Sequence, residues 1–365
     1  MISYVLVFSV VLYSCWLCWV LFYSWRQNTI LAAQGASVAA TILFACRNEQ
    51  KALPALLASL KSNSLDGKDI VAVDDGSTDD SVTLLRKAEA TGLLRLMRYV
   101  GPHGKRPALA AALATFSTPY VLQTDADCQV PSGWAPKALQ ILASTQADLL
   151  ILPVRFKMPS RTFWADVLQT ELASIMAVTA ATARAGVGVM CNGANLAYTL
   201  KLWQEAAPAL AGVPFLGGDD MFLLDYARHK DKQIAYSDAK GTWVDTEAPT
   251  TLGAFLHQRR RWASKWPGYT SAWPVAVATI SMVGQIGFAG GVALSLLGMG
   301  GIFMYVALAS KVALEALLLS RQLQKAGHRF GLGAFLFWQV AYVPYLCAVA
   351  IPAIFTPPPK TWKKA

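Results

Sequence analysis

Three of the chain's close acidic pairs stand out: Asp74-Asp75, Asp125-Ala126-Asp127 and Asp219-Asp220. Neighbouring carboxylates repel one another, so any set that shares a site needs a positive partner. Hard divalent cations prefer oxygen ligands, and a divalent cation together with a diphosphate is the natural candidate. Each pair also has a plainer role. Asp ahead of Gly-Ser is a common turn, and an Asp pair suits the first turn of a helix. Basic residues supply the complementary chemistry. Lys105-Arg106 suits either a phosphate contact or a solvated helix start. Gln258-Arg259-Arg260-Arg261-Trp262 puts three guanidinium groups beside a flat aromatic ring.

These residues need elements to hold them. Thr41–Ala45, Asp69–Val73, Leu93–Tyr99, Tyr120–Gln123 and Ala147–Val154 read as buried strands. Helical spacing at Ala52–Leu60, Ser81–Ala90 and Lys105–Ala114 alternates with them. That alternation predicts an α/β domain over residues 37–250, a mainly parallel, Rossmann-like sheet covered by helices. Ligands bind such sheets at the carboxyl ends of strands, near a topological switch point. Two of the acidic pairs close predicted strands.

The composition adds a membrane. The chain has 365 residues, 55 % of them apolar, only 15 % charged, with a formal net charge of +10. Met1–Trp25, Trp273–Ser310 and Phe330–Pro359 carry no charge at all. About 20 apolar residues suffice to cross a bilayer. Residues 1–25 are therefore expected to be an uncleaved anchor, since they lack a basic n-region and exceed a signal-peptide core. Residues 251–272, rich in Trp and Arg, suit an amphipathic interfacial segment. Residues 273–356 hold about three spans, near Val275–Leu297, Gly301–Ser320 and Gly333–Phe355. A basic tail, 357–365, follows. Arg26 and the basic middle domain place that domain in the cytoplasm by the positive-inside rule. Lys360, Lys363 and Lys364 would then lie outside, unless Pro344 and Pro352 make the last segment re-entrant. Lys311 and Glu315, four apart within a span, are expected to pair on one helix face. The six cysteines show no disulfide or metal spacing. Nucleic-acid binding would explain the charge alone, whereas diphosphate, anionic lipid and cytoplasmic loops explain its distribution.

The residues together resemble a membrane-bound family 2 glycosyltransferase with the GT-A fold. The matching pieces, in the family's order, are Arg47-Asn48-Glu49, Val73-Asp74-Asp75-Gly76-Ser77, Gly104-Lys105-Arg106, Asp125-Ala126-Asp127, Cys191-Asn192-Gly193-Ala194-Asn195, Gly218-Asp219-Asp220 and the QxxRW stretch Gln258–Trp262. Ala45-Cys46 stands where Pro often precedes the Asn-Glu pair. The resemblance implies a nucleotide pocket lined by Glu49, Asp74 and Asp75, with Lys105 near the phosphates. It implies that Asp127 binds Mg2+ or Mn2+, that Asp125 touches ribose or donor sugar, and that Arg261 meets the diphosphate. Asp220, with Asp219 beside it, is the implied general base of an inverting displacement. Gln258, Trp262, Asn192 and Asn195 are the implied acceptor side.

The expected partners are therefore a nucleotide-sugar donor, with UDP as the expected nucleotide, a lipid or glycan acceptor, and membrane lipids, but no nucleic acid. The expected location is a bacterial cytoplasmic membrane. Four spans are few for a polymer-exporting channel without an oligomer or an envelope-biosynthesis partner. A lipid or lipid-linked acceptor is thus expected ahead of processive polysaccharide synthesis. A non-catalytic scaffold subunit would lack one of the acids, and none is missing.

Overall fold

The computed structural model describes residues 2–26, 39–63, 69–213, 215 and 217–355. A 24-residue apolar helix, α1 (Ile2–Trp25), comes first. The α/β region then runs β1 (Ala40–Cys46), α2 (Leu53–Lys61), β2 (Asp69–Asp74), α3 (Ser81–Ala90), β3 (Arg95–Arg98), α4 (Lys105–Leu113), β4 (Tyr120–Thr124), β5 (Cys128–Gln129) and α5 (Trp134–Thr145). It continues with β6 (Leu149–Ile151), β7 (Val154–Lys157), α6 (Phe163–Arg184), β8 (Asn195–Thr199), α7 (Leu200–Ala211), α8 (Asp219–His229), β9 (Ile234–Tyr236) and β10 (Val244–Glu247). Then come α9 (Leu252–Ala263) and three long apolar helices, α10 (Trp273–Leu296), α11 (Ile302–Lys325) and α12 (Leu332–Phe355).

Seven strands form one sheet in the order β3-β2-β1-β4-β8-β6-β9. β1 pairs in parallel with β2 and β4, so the crossover direction reverses there and a crevice opens at their carboxyl ends. Every residue of β1 is buried, as a central strand covered on both faces requires. Side chains alternate between two cores. Ile42 and Phe44 face α2 residues such as Leu53 and Leu56, while Leu43 and Ala45 face α4 residues such as Ala108 and Leu109. β8 runs antiparallel between β4 and β6. The apolar run expected as one strand over Ala147–Val154 is two. Pro153 lacks the N–H that would continue a ladder, and the chain leaves β6 in the large sheet for β7 in a small sheet ordered β5-β10-β7.

Among the described residues, four helices are long and apolar enough to cross a membrane. At 1.5 Å per residue, 24 residues span about 36 Å, more than the hydrocarbon core. α1 and α10 meet along glycines: a Cβ on Gly284 would lie 2.3 Å from Tyr13 Cβ, and one on Gly287 would lie 2.2 Å from Ser9 Oγ. Small residues let the two backbones approach. Lys311 does more than pair with Glu315 (2.9 Å). Tyr13 Oη and Gln285 Nε2 donate to Glu315 Oε1 (3.0 and 2.9 Å), and Gln339 Nε2 donates to Oε2 (2.8 Å) while its own Oε1 accepts from Lys311 (2.6 Å). α12 is one continuous helix through Pro344 and Pro352, so the re-entrant turn expected from these prolines does not occur within it. The basic tail lies outside the described residues.

α6 joins the two parts. Ala177 and Ala181 pack with Leu17, Leu21 and Leu318, and Ala173 packs with Leu319, Leu323 and Phe335. Where α1 ends, Arg184 and Lys325 both donate to the Ser24 carbonyl (2.7 and 3.0 Å) and both pair with Asp238 (2.6 and 2.8 Å). Cations at a helix carboxyl end suit its dipole.

Candidate active site

The sequence-predicted residues converge at the mouth of the crevice. Lys105, first in α4, reaches Asp125 Oδ1 at 2.6 Å and Asp219 Oδ1 at 3.8 Å, tying the end of β4 to the start of α8. Burial works against the Lys105 charge, but Asp125, Asp219 and Asp220 outweigh it and hold its pKa above the usual range. Asp219 is 2 % exposed. Gln123 Nε2 donates to its Oδ2 (2.5 Å), and Tyr198 Oη in turn donates to Gln123 (2.9 Å). Burial raises the Asp219 pKa, opposed by Lys105 and assisted by Asp220.

Asp220 stands differently. It is only partly buried and lines the cleft. The Gly193 N–H donates to its Oδ2 and the Met221 N–H to its Oδ1, each at 2.8 Å. Two backbone donors and a helix amino end thus hold one carboxylate in a fixed orientation. The turn before it needs glycine for its backbone. Gly218 has φ +84°, and a Cβ there would lie 2.9 Å from Lys265 Cδ.

Asp125 and Asp127 both line the cleft. Burial first, then the Asp125 charge, pushes the Asp127 carboxyl up to about 6. Asp127 makes no ion pair with Lys or Arg among the described residues; its one side-chain contact is a weak one from Cys128 Sγ at 3.8 Å. A carboxylate so placed fits a divalent cation. No group of three or more His, Cys, Asp or Glu gathers into a metal cluster among the described residues. A cation at Asp127 would therefore draw most of its ligands from a diphosphate and water, as Mg2+ commonly does.

Glu49 lines the cleft, but Asp74 and Asp75 do not. Both are enclosed in the loops beside it. Asp75 Oδ2 accepts from the Gly104 N–H (2.9 Å), its Oδ1 faces His103 Nδ1 (3.2 Å), and Arg47 lies 3.7 Å away. Asp74 Oδ1 accepts from the Ser77 N–H (3.2 Å), with Arg98 at 3.8 Å from Oδ2. Asn192 lines the cleft and accepts from the Ala194 N–H (3.0 Å). Asn195, expected on the acceptor side, is instead an internal pin. It is fully buried, donates to the carbonyls of Pro153 (2.6 Å) and Thr242 (2.7 Å), and accepts from Trp134 Nε1 (2.9 Å).

α9 closes the opposite wall with Gln258, Arg261 and Trp262. Its three arginines diverge, as about 100° per residue demands. Arg259 turns inward onto Glu171 of α6 (2.8 and 2.5 Å), which also accepts from Tyr345 Oη (2.9 Å). The Arg259 guanidinium lies 4.2 Å from the Trp262 ring centroid, and its NH1 donates to Gln258 Oε1 (2.6 Å). Arg260 donates to the Ala348 carbonyl (2.8 Å), the one that Pro352 leaves without a helical N–H. Two features, one in the cleft wall and one behind it, escaped the sequence reading. Lys265 lines the cleft two residues past the end of α9, in the basic stretch that the sequence already shows after Arg261. Glu171, an acid inside an apolar helix, is the signal for the buried clamp.

Residues 41–199 match the family model described as Glycosyl transferase family 2. Uncharacterized glycosyltransferases of Mycobacterium bovis and Mycobacterium tuberculosis are 33 % identical over 115 residues, which is 32 % of this chain and 48 % of each relative. The chain thus spans about half the length of the curated relatives it matches. The solved structure of a mannosyltransferase from Pyrobaculum calidifontis, PcManGT, in complex with GDP-Man and Mn2+, aligns over 97 % of this chain and 99 % of that one, with a TM-score of 0.57 at 19 % identity. The likeness is one of fold.

Proposed function

We propose that this chain, which carries a family 2 glycosyltransferase domain, is an inverting, metal-dependent enzyme that moves a sugar from a nucleotide-diphosphate sugar to a lipid acceptor at a membrane surface. The observation that carries this reading is one cleft with carboxylates of β4 and α8 on one wall and the Gln258–Trp262 face of α9 on the other. α9 leads directly into an apolar helix long enough to span a bilayer, so a lipid headgroup has access to that wall.

In this mechanism Asp220 takes the proton of the acceptor hydroxyl. The hydroxyl oxygen bonds to the anomeric carbon as the bond from that carbon to the diphosphate breaks, and the nucleoside diphosphate leaves with the electron pair. Attack opposite the leaving group inverts the centre. The backbone donors from Gly193 and Met221 orient Asp220, and its partial exposure lets an acceptor reach it. Asp127 would hold the divalent cation, which when bound neutralises charge on the departing diphosphate. Arg261 would add charge-assisted hydrogen bonds to the same group. Lys105 holds Asp125 by a hydrogen bond and Asp219 by a longer ion pair, fixing both acids at the cleft. UDP is the expected nucleotide and GDP the principal competitor. Arg26, Arg184, Arg321, Lys325 and Arg329 gather at the domain-side ends of the apolar helices, while the far turn Gly298–Gly301 is uncharged. That asymmetry supports a cytoplasmic domain on a cell membrane.

The test is nucleotide release from UDP- and GDP-sugars by protein in lipid nanodiscs, with Mg2+ or Mn2+, with and without a membrane lipid extract. Lipid-stimulated release from one donor, lost in Asp220→Asn while nucleotide binding persists, is the expected result. Release that survives in Asp220→Asn would remove Asp220 as the base.

A further inference from the structure

One cation of the cleft has no task in this scheme. Lys265 lines the cleft between α9 and α10, and among the described residues its ammonium makes no ion pair and no hydrogen bond. A Cβ on Gly218 would meet its Nζ at 3.2 Å, and one on Gly217 would meet it at 4.0 Å. The ammonium therefore stands over the turn that starts α8, on the Asp220 side. The carboxylates that act on it are Asp220 and then Asp219, while Arg261 and Lys105 oppose its charge; burial dominates and lowers its pKa. For this half-buried ammonium, desolvation outweighs the two nearby carboxylates, and a directly bonded anionic ligand would offset that cost.

Asp127 and Arg261, across the cleft from one another, are the groups proposed above for the donor diphosphate, whereas the Lys265 ammonium stands over the Gly217–Gly218 turn beside Asp220. Lys265 lies beside the base and eight residues before Trp273, where the apolar helix α10 begins. An anion reaching it from the membrane arrives as part of a headgroup. Resting on the transferase reading above, we propose that Lys265 holds a phosphate of the lipid acceptor, adjacent to the hydroxyl that Asp220 deprotonates. The acceptor is then a phosphate-bearing lipid with a free hydroxyl and not a neutral lipid.

The test uses the full chain in phosphatidylcholine nanodiscs doped with phosphatidylglycerol or with diacylglycerol, two hydroxyl lipids of which only the first carries phosphate. Lipid retained on the protein is read by mass spectrometry, and nucleotide binding is titrated in parallel as a control of the fold and of the donor site. Phosphatidylglycerol should be retained in preference to diacylglycerol. Lys265→Ala should lower that retention about tenfold or more, the loss of one charge-assisted hydrogen bond, and Lys265→Arg should keep most of it. Arg329→Ala, an exposed basic residue elsewhere at the domain side, should change neither reading. Equal loss in Lys265→Ala and Arg329→Ala would reduce the effect to bulk surface charge and overturn the proposal. Weaker nucleotide binding in Lys265→Ala with retention intact would assign the ammonium to the donor instead, and the absence of any phosphatidylglycerol preference would also overturn it. Retention needs no turnover, so a failure of the transferase reading would show separately, as nucleotide release independent of Asp220.

Discussion

The Glu171–Arg259 clamp makes a quantitative demand. Both side chains are nearly sealed from solvent, at 2 % and 3 % exposure, and they meet at 2.5 Å through NH2 and Oε2. Nε adds a second bond at 2.8 Å, and Tyr345 Oη a third contact to the same carboxylate at 2.9 Å. Glu171→Leu removes the carboxylate and strands a buried guanidinium and a buried hydroxyl. Breaking one side of such a pair costs about 3–5 kcal/mol. Against a domain stability of about 5–15 kcal/mol, the variant should fold but unfold at markedly lower denaturant. Replacing both partners, Glu171→Leu with Arg259→Met, leaves no orphaned charge and should recover most of the loss. The assay is denaturant unfolding in detergent for the wild type, both single variants and the double variant, closed as a double-mutant cycle. The double variant should nonetheless use acceptor poorly, because Trp262 loses the guanidinium above its ring and Gln258 loses a hydrogen-bond donor, while nucleotide binding holds. The reasoning is refuted if Glu171→Leu costs under about 1 kcal/mol, or if the double variant is no more stable than the single.

Two further outcomes are expected. Asp127→Ala should abolish any difference in nucleotide affinity between Mg2+ and EDTA, and retention of that difference would move the cation elsewhere. His328 lies between α11 and α12 with its Nε2 buried and unbonded among the described residues, and burial, then Arg155, lowers its pKa. The folded state therefore binds this proton less readily than the unfolded state. Stability should be complete above the unfolded value of about 6.5 and fall as pH drops through it. His328→Leu should flatten that slope in thermal unfolding between neutral and mildly acidic pH, and an unchanged slope would assign it to another group.

Much of the frame was legible because its determinants are local. Apolar runs ending in acidic turns mark β1, β2 and β4, and the three charge-free stretches mark α1, α10 and α12, while α11 reads as a span despite Lys311 and Glu315. Strand direction is not local. Nothing in Asn195–Thr199 says that β8 runs against its neighbours, and Pro153 marks a break only once two sheets are known. The site divides likewise. Acids at strand ends could be read from type and position. The burial of Asn195 could not, because its partners Trp134, Pro153 and Thr242 come from three other segments. Helical pitch alone tells that Arg259, Arg260 and Arg261 must point apart. Which one meets Glu171, which Ala348 and which the cleft depends on where α6 and α12 lie.

The Lys311–Glu315 pair carries that argument into the apolar helices. As sequence it is one ion pair at four-residue spacing. In the fold, the pair's polar capacity is met by Tyr13 of α1, Gln285 of α10 and Gln339 of α12, and Tyr13 and Glu315 are 302 residues apart. In hydrocarbon an unmet polar group is expensive, so such a set tolerates few alternative neighbours. α1 must therefore return to the three C-terminal helices, with the whole α/β region between them. Arg184 and Lys325 fasten α1 and α11 to the domain at Asp238, and Arg259 fastens α9 to α6 at Glu171. With both fastenings made, the Arg261–Trp262 face has one height relative to the bundle. The proposed lipid acceptor would require that fixed height, since a headgroup is presented to the cleft at one depth.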